Sequence, residues 1–127
     1  MPFVQISLLR GKPSEYVSGI VESVHKALVK EFNVPELDKF QVVHEVEPHQ
    51  LVFPTSYLGV PLSDDIIYVH ITCKEGRTID MKRRLYQEIA TLISSSTGLV
   101  EDDVFIVIAE NKAENWSFGR GKAQLVE

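Results

Sequence analysis

A chain of 127 residues with 44% hydrophobic and 24% charged residues holds enough apolar material for one ordinary core without staples. Its net charge of -5 argues against nucleic acid as the main partner, and no apolar run approaches the roughly 20 residues a membrane span needs. The lone Cys73 excludes an internal disulfide and, with no basic-then-apolar leader in view, the expected setting is cytoplasmic.

Phe3 to Leu9 is a short β-branched and apolar run closed by Arg10-Gly11-Lys12-Pro13, which predicts a strand. A helix is expected next, with Ser14 as its N-cap and Val17, Ile20, Val21, Val24, Ala27, Leu28 and Phe32 on its apolar face. Asn33-Val34-Pro35 ends it, and Phe40 to about Val46 reads as a second strand. From Glu47 to Asp64 the pattern is irregular, and only Leu51-Val52-Phe53 has strand composition there. Asp65 to Thr72 predicts a third strand, and a second helix is expected from about Ile79 to Ser95, stopped at Gly98. Val104 to Ile108 is apolar without a break, which reads as a central strand buried on both faces. Asn115 to Lys122 is a glycine-rich turn holding two aromatics.

Shifted by about 65 positions, the chain matches itself. Gly11-Lys12 falls on Gly76-Arg77, and Asp38, Phe40, Val42 and Glu45 fall on Asp103, Phe105, Val107 and Glu110. One domain over residues 1-127 is therefore expected, built from two β-α-β units at roughly 2-46 and 66-110. Right-handed crossovers make each unit's strands parallel, so the fold class is α+β: a four-stranded sheet with both helices on one face. The sheet's other face then needs covering, and a doubled subunit suits a three-fold ring, so a homotrimer is expected.

The chemistry-bearing candidates are few. A small residue after Met1 favours removal of that methionine, which leaves Pro2 with a secondary amine able to act as a base or nucleophile. Arg77 suits a bidentate carboxylate contact, or a surface ion pair in the first helical turn. Asp38 can assist an amine, or serve only as a turn residue, since Asp103 holds the same place in the second unit. Trp116 and Phe118 fit a pocket wall, a core or a subunit seam. His25, His44, His49 and His70 lack metal-ligand spacing, and no phosphate loop, dinucleotide fingerprint or zinc motif occurs. No metal and no cofactor is expected.

Pro2 opening a strand, a Gly-basic pair after it and a duplicated β-α-β unit together resemble the tautomerase superfamily. Val69-His70-Ile71 through Glu75-Gly76-Arg77-Thr78 to Ile106-Val107-Ile108 is similar to a short 4-oxalocrotonate tautomerase subunit. Over the whole length the chain is more similar to malonate semialdehyde decarboxylase-like members. That likeness is carried by Val34-Pro35 to Asp38, Phe40 to His44, Asp102-Asp103-Val104 and Glu114 to Gly121. The resemblance implies a trimer with Pro2 and Asp38 catalytic, Arg77 binding the substrate carboxylate, and Trp116 with Phe118 walling the pocket. The decarboxylases carry two arginines one residue apart, and at the first of these positions this chain has Glu75, with Lys74 the nearest alternative cation.

The activity expected is that of an isomerase. It is a cofactor-free tautomerase interconverting enol and keto forms of a small carbonyl acid, with Pro2 as general acid and base. The alternatives are a carbon-carbon lyase of the malonate semialdehyde decarboxylase or hydratase type using cationic Pro2, and a trimeric binding protein with vestigial activity. No nucleic acid or membrane partner is expected.

Overall fold

The computed structural model describes residues 1-127. The chain runs β1 (Phe3–Leu9), α1 (Ser14–Phe32), β2 (Phe40–Val46), a small hairpin of β3 (Ser56–Tyr57) and β4 (Val60–Pro61), β5 (Ile67–Lys74), α2 (Ile79–Thr97) and β6 (Val104–Asn111). Four strands form one sheet in the order β2-β1-β5-β6. β1 with β2 and β5 with β6 are parallel, as crossovers through a helix require, and β1 meets β5 antiparallel. The doubling is written into the register. Phe3 pairs with Phe40 as Tyr68 pairs with Phe105, and Gln5 lies opposite His70, its own counterpart in the second unit.

Alternation along the strands sends Val4, Ile6 and Leu8 of β1 and Ile67, Val69, Ile71 and Cys73 of β5 toward the helices. These pack on Ile20, Val24 and Leu28 of α1 and on Leu85, Ile89 and Ile93 of α2, forming one buried cluster. The helices approach closely at Gly19, where an added Cβ would sit 3.1 Å from the Thr97 methyl. Ser23 and Ser96 hydroxyls meet there at 3.0 Å, and Lys30 pairs with Glu88 at 2.9 Å further along. No helix is long and apolar enough to cross a membrane.

Three expectations need correction. β6 is an edge strand rather than a central one, with Phe105 and Val107 exposed on the open face of the subunit. Its unbroken apolar run has two causes: Val104, Ile106 and Ile108 pack on the core, while Phe105 and Val107 join an uncovered face. Leu51-Val52-Phe53 forms no strand; the short pairing lies instead at Ser56–Tyr57 and Val60–Pro61, around Leu58 and Gly59 at positive φ, the backbone a two-residue hairpin demands. Pro13, not Ser14, holds the N-cap place of α1, with no side-chain cap, and its carbonyl accepts the Tyr16 and Val17 amides.

Candidate active site

Because β1 and β5 run antiparallel with Phe3 opposite Thr72, the start of β1 lies beside the end of β5. Pro2 is buried there, next to the segment that turns from β5 into α2. Gly76 makes that turn at φ 125, a conformation L side chains rarely adopt. Thr78 then caps α2, its hydroxyl accepting the Met81 amide at 3.2 Å, and Arg77 is held between the turn and the cap.

The Arg77 guanidinium donates through Nη1 to the Lys74 carbonyl at 3.0 Å and through Nη2 to the Phe32 carbonyl at 3.5 Å. It lies over the Phe32 ring, 4.9 Å from the centroid. No carboxylate partners it, so three of its five N–H groups stay free for an anion. Lys74 itself is exposed and contributes its carbonyl, while Glu75 is exposed and its amide donates to the Asn111 carbonyl at 2.7 Å. Cys73, opposite Pro2, is buried. Burial pushes its thiol pKa up, against the pull of the nearby Arg77 charge.

Asp38 arrives from the α1–β2 connection. Asn33 ends α1 in the left-handed conformation, the Asp38 amide donates to the Pro35 carbonyl, and the buried His25 ring bonds the Glu36 carbonyl at 2.8 Å. These contacts fix the loop so that Asp38 Oδ2 lies 3.2 Å from the amino terminus of the chain, carried here by Met1. The carboxylate side chain is only 10% exposed, and Oδ1 is buried without a partner.

The tail after β6 supplies the wall. Trp116 donates from Nε1 to Asn111 Oδ1 at 2.6 Å and stacks on Phe118, ring centroids 5.7 Å apart. The tail reverses through Gly119, Arg120 and Gly121, all at positive φ, and Gln124 bonds the Phe118 amide and the Gly119 carbonyl. Together with Met1, Pro2, Phe3, Phe40 and Ser117, the two aromatics enclose about 290 Å³. A larger apolar hollow of about 620 Å³ lies at the other end of the sheet, among Phe53, Leu62, Tyr68 and Phe105.

Of the residues singled out from sequence, Pro2, Trp116 and Phe118 share this cavity and Asp38 touches the terminus beside it. Arg77 stands in the adjoining turn, and the Lys74 ammonium has no fixed place in the site. Phe3 and Phe40 are walls that sequence reading placed only on strands. The signal for them was present: they pair directly across β1 and β2 and point away from the buried Val4, toward the open face.

Two family models, each described as tautomerase enzyme, match residues 38–119 and 2–59. The chain is 42% identical to the probable tautomerase YusQ of Bacillus subtilis (strain 168), over 127 residues that span the whole of both chains. Its structure is similar to FG41 malonate semialdehyde decarboxylase inhibited by 3-bromopropiolate, with a TM-score of 0.91 and 33% identity over 98% of this chain and 94% of that one. It is also similar in fold, with a TM-score of 0.78 and 16% identity over 94% of each chain, to a fused 4-OT wild-type symmetric trimer.

Proposed function

Because the chain belongs to the tautomerase family, we propose that it is a cofactor-free enzyme in which Pro2, freed of Met1, interconverts the enol and keto forms of a small 2-oxo acid. The observation that carries this reading is the start of the chain: Pro2 is buried and lines an aromatic cavity, and the Met1 ammonium one residue ahead of it lies 3.2 Å from a nearly buried carboxylate that leaves one oxygen unpartnered. With Met1 attached the Pro2 nitrogen is an amide, so trimming is the step that turns the position into an amine.

The substrate carboxylate sits on the free N–H groups of Arg77. Neutral Pro2 takes the enol hydroxyl proton, and the resulting ammonium, steadied by Asp38, returns a proton to carbon 3, so the enzyme ends as it began. Phe3, Phe40, Trp116 and Phe118 keep water from the reacting atoms and receive an apolar substituent. The open sheet face, with Phe105 and Val107 exposed, is covered by assembly as a homotrimer, the arrangement named for the fused 4-OT relative.

Ketonisation of phenylenolpyruvate by wild type and Pro2→Ala tests the mechanism, with a C-terminal tag and an intact mass showing Met1 removed. A loss of at least about 100-fold in Pro2→Ala is expected, and equal rates remove the proline from the reaction. Decarboxylation of malonate semialdehyde is the second reading, favoured by Asp38 beside the start of the chain, where it pairs with the Met1 ammonium, and by similarity to the solved decarboxylase. Asp38 there favours a cationic Pro2 that polarises the carbonyl while CO2 leaves; absence of CO2 release counts against it. Inactivity across a panel of carbonyl acids would instead favour a binding role.

A further inference from the structure

We infer that Phe32, the last residue of α1, is the positioning residue of the substrate-binding cation: its ring and its backbone carbonyl together hold the Arg77 guanidinium in the orientation that presents the remaining N–H groups to the substrate carboxylate. This rests on the reading of Arg77 as the carboxylate anchor.

Three observations converge on Phe32. The carbonyls of a helix's last turn have no partner within the helix and carry its negative end, so a cation placed there is favoured twice. The Phe32 carbonyl is one of these, and Arg77 Nη2 donates to it at 3.5 Å. The ring of the same residue lies under the cation, 4.9 Å from centroid to guanidinium carbon, and Phe32 is only 3% exposed, so this contact is made largely out of water, where cation–π attraction is strongest. The Lys74 carbonyl supplies a second fixed point at 3.0 Å, leaving the guanidinium little freedom to rotate.

The equivalent place at the opposite end of the sheet is arranged differently. Thr97 stands where Phe32 stands, at the end of α2. Lys12, the counterpart of Arg77, also lies over a ring, that of Tyr16 at 5.2 Å, but gives its ammonium to Asp65 at 2.6 Å. A ring under a cation satisfies it without neutralising it, which a carboxylate cannot do. Phe32 therefore both fixes Arg77 and leaves its charge available.

The test is a kinetic split on phenylenolpyruvate across a small set of variants. Phe32→Leu keeps most of the core volume but removes the ring, and is expected to raise KM about three- to tenfold with kcat within about twofold. Leu28→Ala, an equally buried α1 residue that does not touch Arg77, is expected to lower the melting temperature and leave KM unchanged. Arg77→Ala is expected to raise KM further, and adding Phe32→Leu to it should change KM no more. Phe32→Met is read in the same way should the leucine variant not fold. If Arg77→Ala raises KM while Phe32→Leu does not, the positioning role is overturned and the carboxylate anchor stands. An effect of Phe32→Leu that persists undiminished without Arg77, or is matched by Leu28→Ala, also overturns it. If Arg77→Ala leaves KM as in wild type, the anchor reading fails and the inference with it.

Discussion

At one end of the sheet Asp38 faces the chain terminus with Oδ1 unpartnered, while at the other end Asp103 accepts both the Ser63 amide at 2.8 Å and the Ser63 hydroxyl at 2.5 Å. Arg77 meets two backbone carbonyls and a ring, whereas Lys12 is neutralised by Asp65. Phe3 and Phe40 wall a cavity beside Pro2; their counterparts Tyr68 and Phe105 touch edge to face at 5.2 Å beside a hollow with no terminus near it. Duplication gave the molecule two copies of one geometry, but a chain has only one amino terminus. Ser63 and Asp65 satisfy Asp103 and Lys12 at one end, while the buried Asp38 Oδ1 is left open at the other. An unmade bond of that kind costs about 1–3 kcal/mol. It is present at one end only, the end where the proposed site lies.

Exchanging the two aspartates' chemistry is the strongest way to break this comparison. Asp38→Asn is expected to lower turnover of phenylenolpyruvate about 100-fold with little change in melting temperature. Asp103→Asn should do the reverse, leaving turnover within about twofold but costing about 1–3 kcal/mol in urea unfolding. Equal activity losses in the two variants would mean that Asp38 is structural as well.

The cations give the next largest contrast. Removing the Arg77 side chain is expected to raise KM about 10- to 100-fold, the worth of a charge-assisted carboxylate contact. Lys12→Ala should leave KM alone and cost less than about 1 kcal/mol, because both members of its pair are substantially exposed. A KM change in Lys12→Ala would show that the second end also handles anions.

The smallest effect is a pH dependence. The hydrogen bond to Asp65 raises the Lys12 pKa above its ordinary 10.5, with partial burial opposing it. The fold thus prefers the ammonium: the pair's small contribution is complete below that ordinary value and is lost as pH rises through the folded one. The stability gap between wild type and Lys12→Met should therefore be present at about pH 8 and shrink as pH rises through the lysine's raised pKa. A gap that stays constant would show that the ammonium's charge contributes nothing to it.

Much of the fold was legible because periodicity reports burial. The apolar stripe from Val17 to Phe32 and the strand from Phe40 to Val46 lie where the pattern puts them, since each faces a single core. Val104 to Ile108 misled for the same reason. A strand with apolar residues on both faces reads as central whether the second face meets a helix or stays open for a partner. At the site, Pro2, Asp38 and Arg77 drew notice through their chemistry, but Phe32 did not. In sequence it is only the end of an apolar stripe, and nothing local reveals that Arg77, 45 positions on, lies over its ring.

The sequence by itself determined the doubled β-α-β plan, because the Gly-basic pair, the Asp-x-Phe run and the two periodic helices recur at one fixed offset. It also determined the supply of chemistry: one proline behind the initiator, a Gly-basic pair in each unit, two aromatics in the tail. Tertiary structure alone decided which of two equivalent aspartates would be left unsatisfied and which of two equivalent cations would stay uncompensated. The physical reason is that satisfaction of a buried polar group depends on what the rest of the chain brings within about 3 Å of it. Ser63 and Asp65 reach the polar groups at one end of the sheet, while at the other the amino terminus meets Asp38 and no carboxylate meets Arg77.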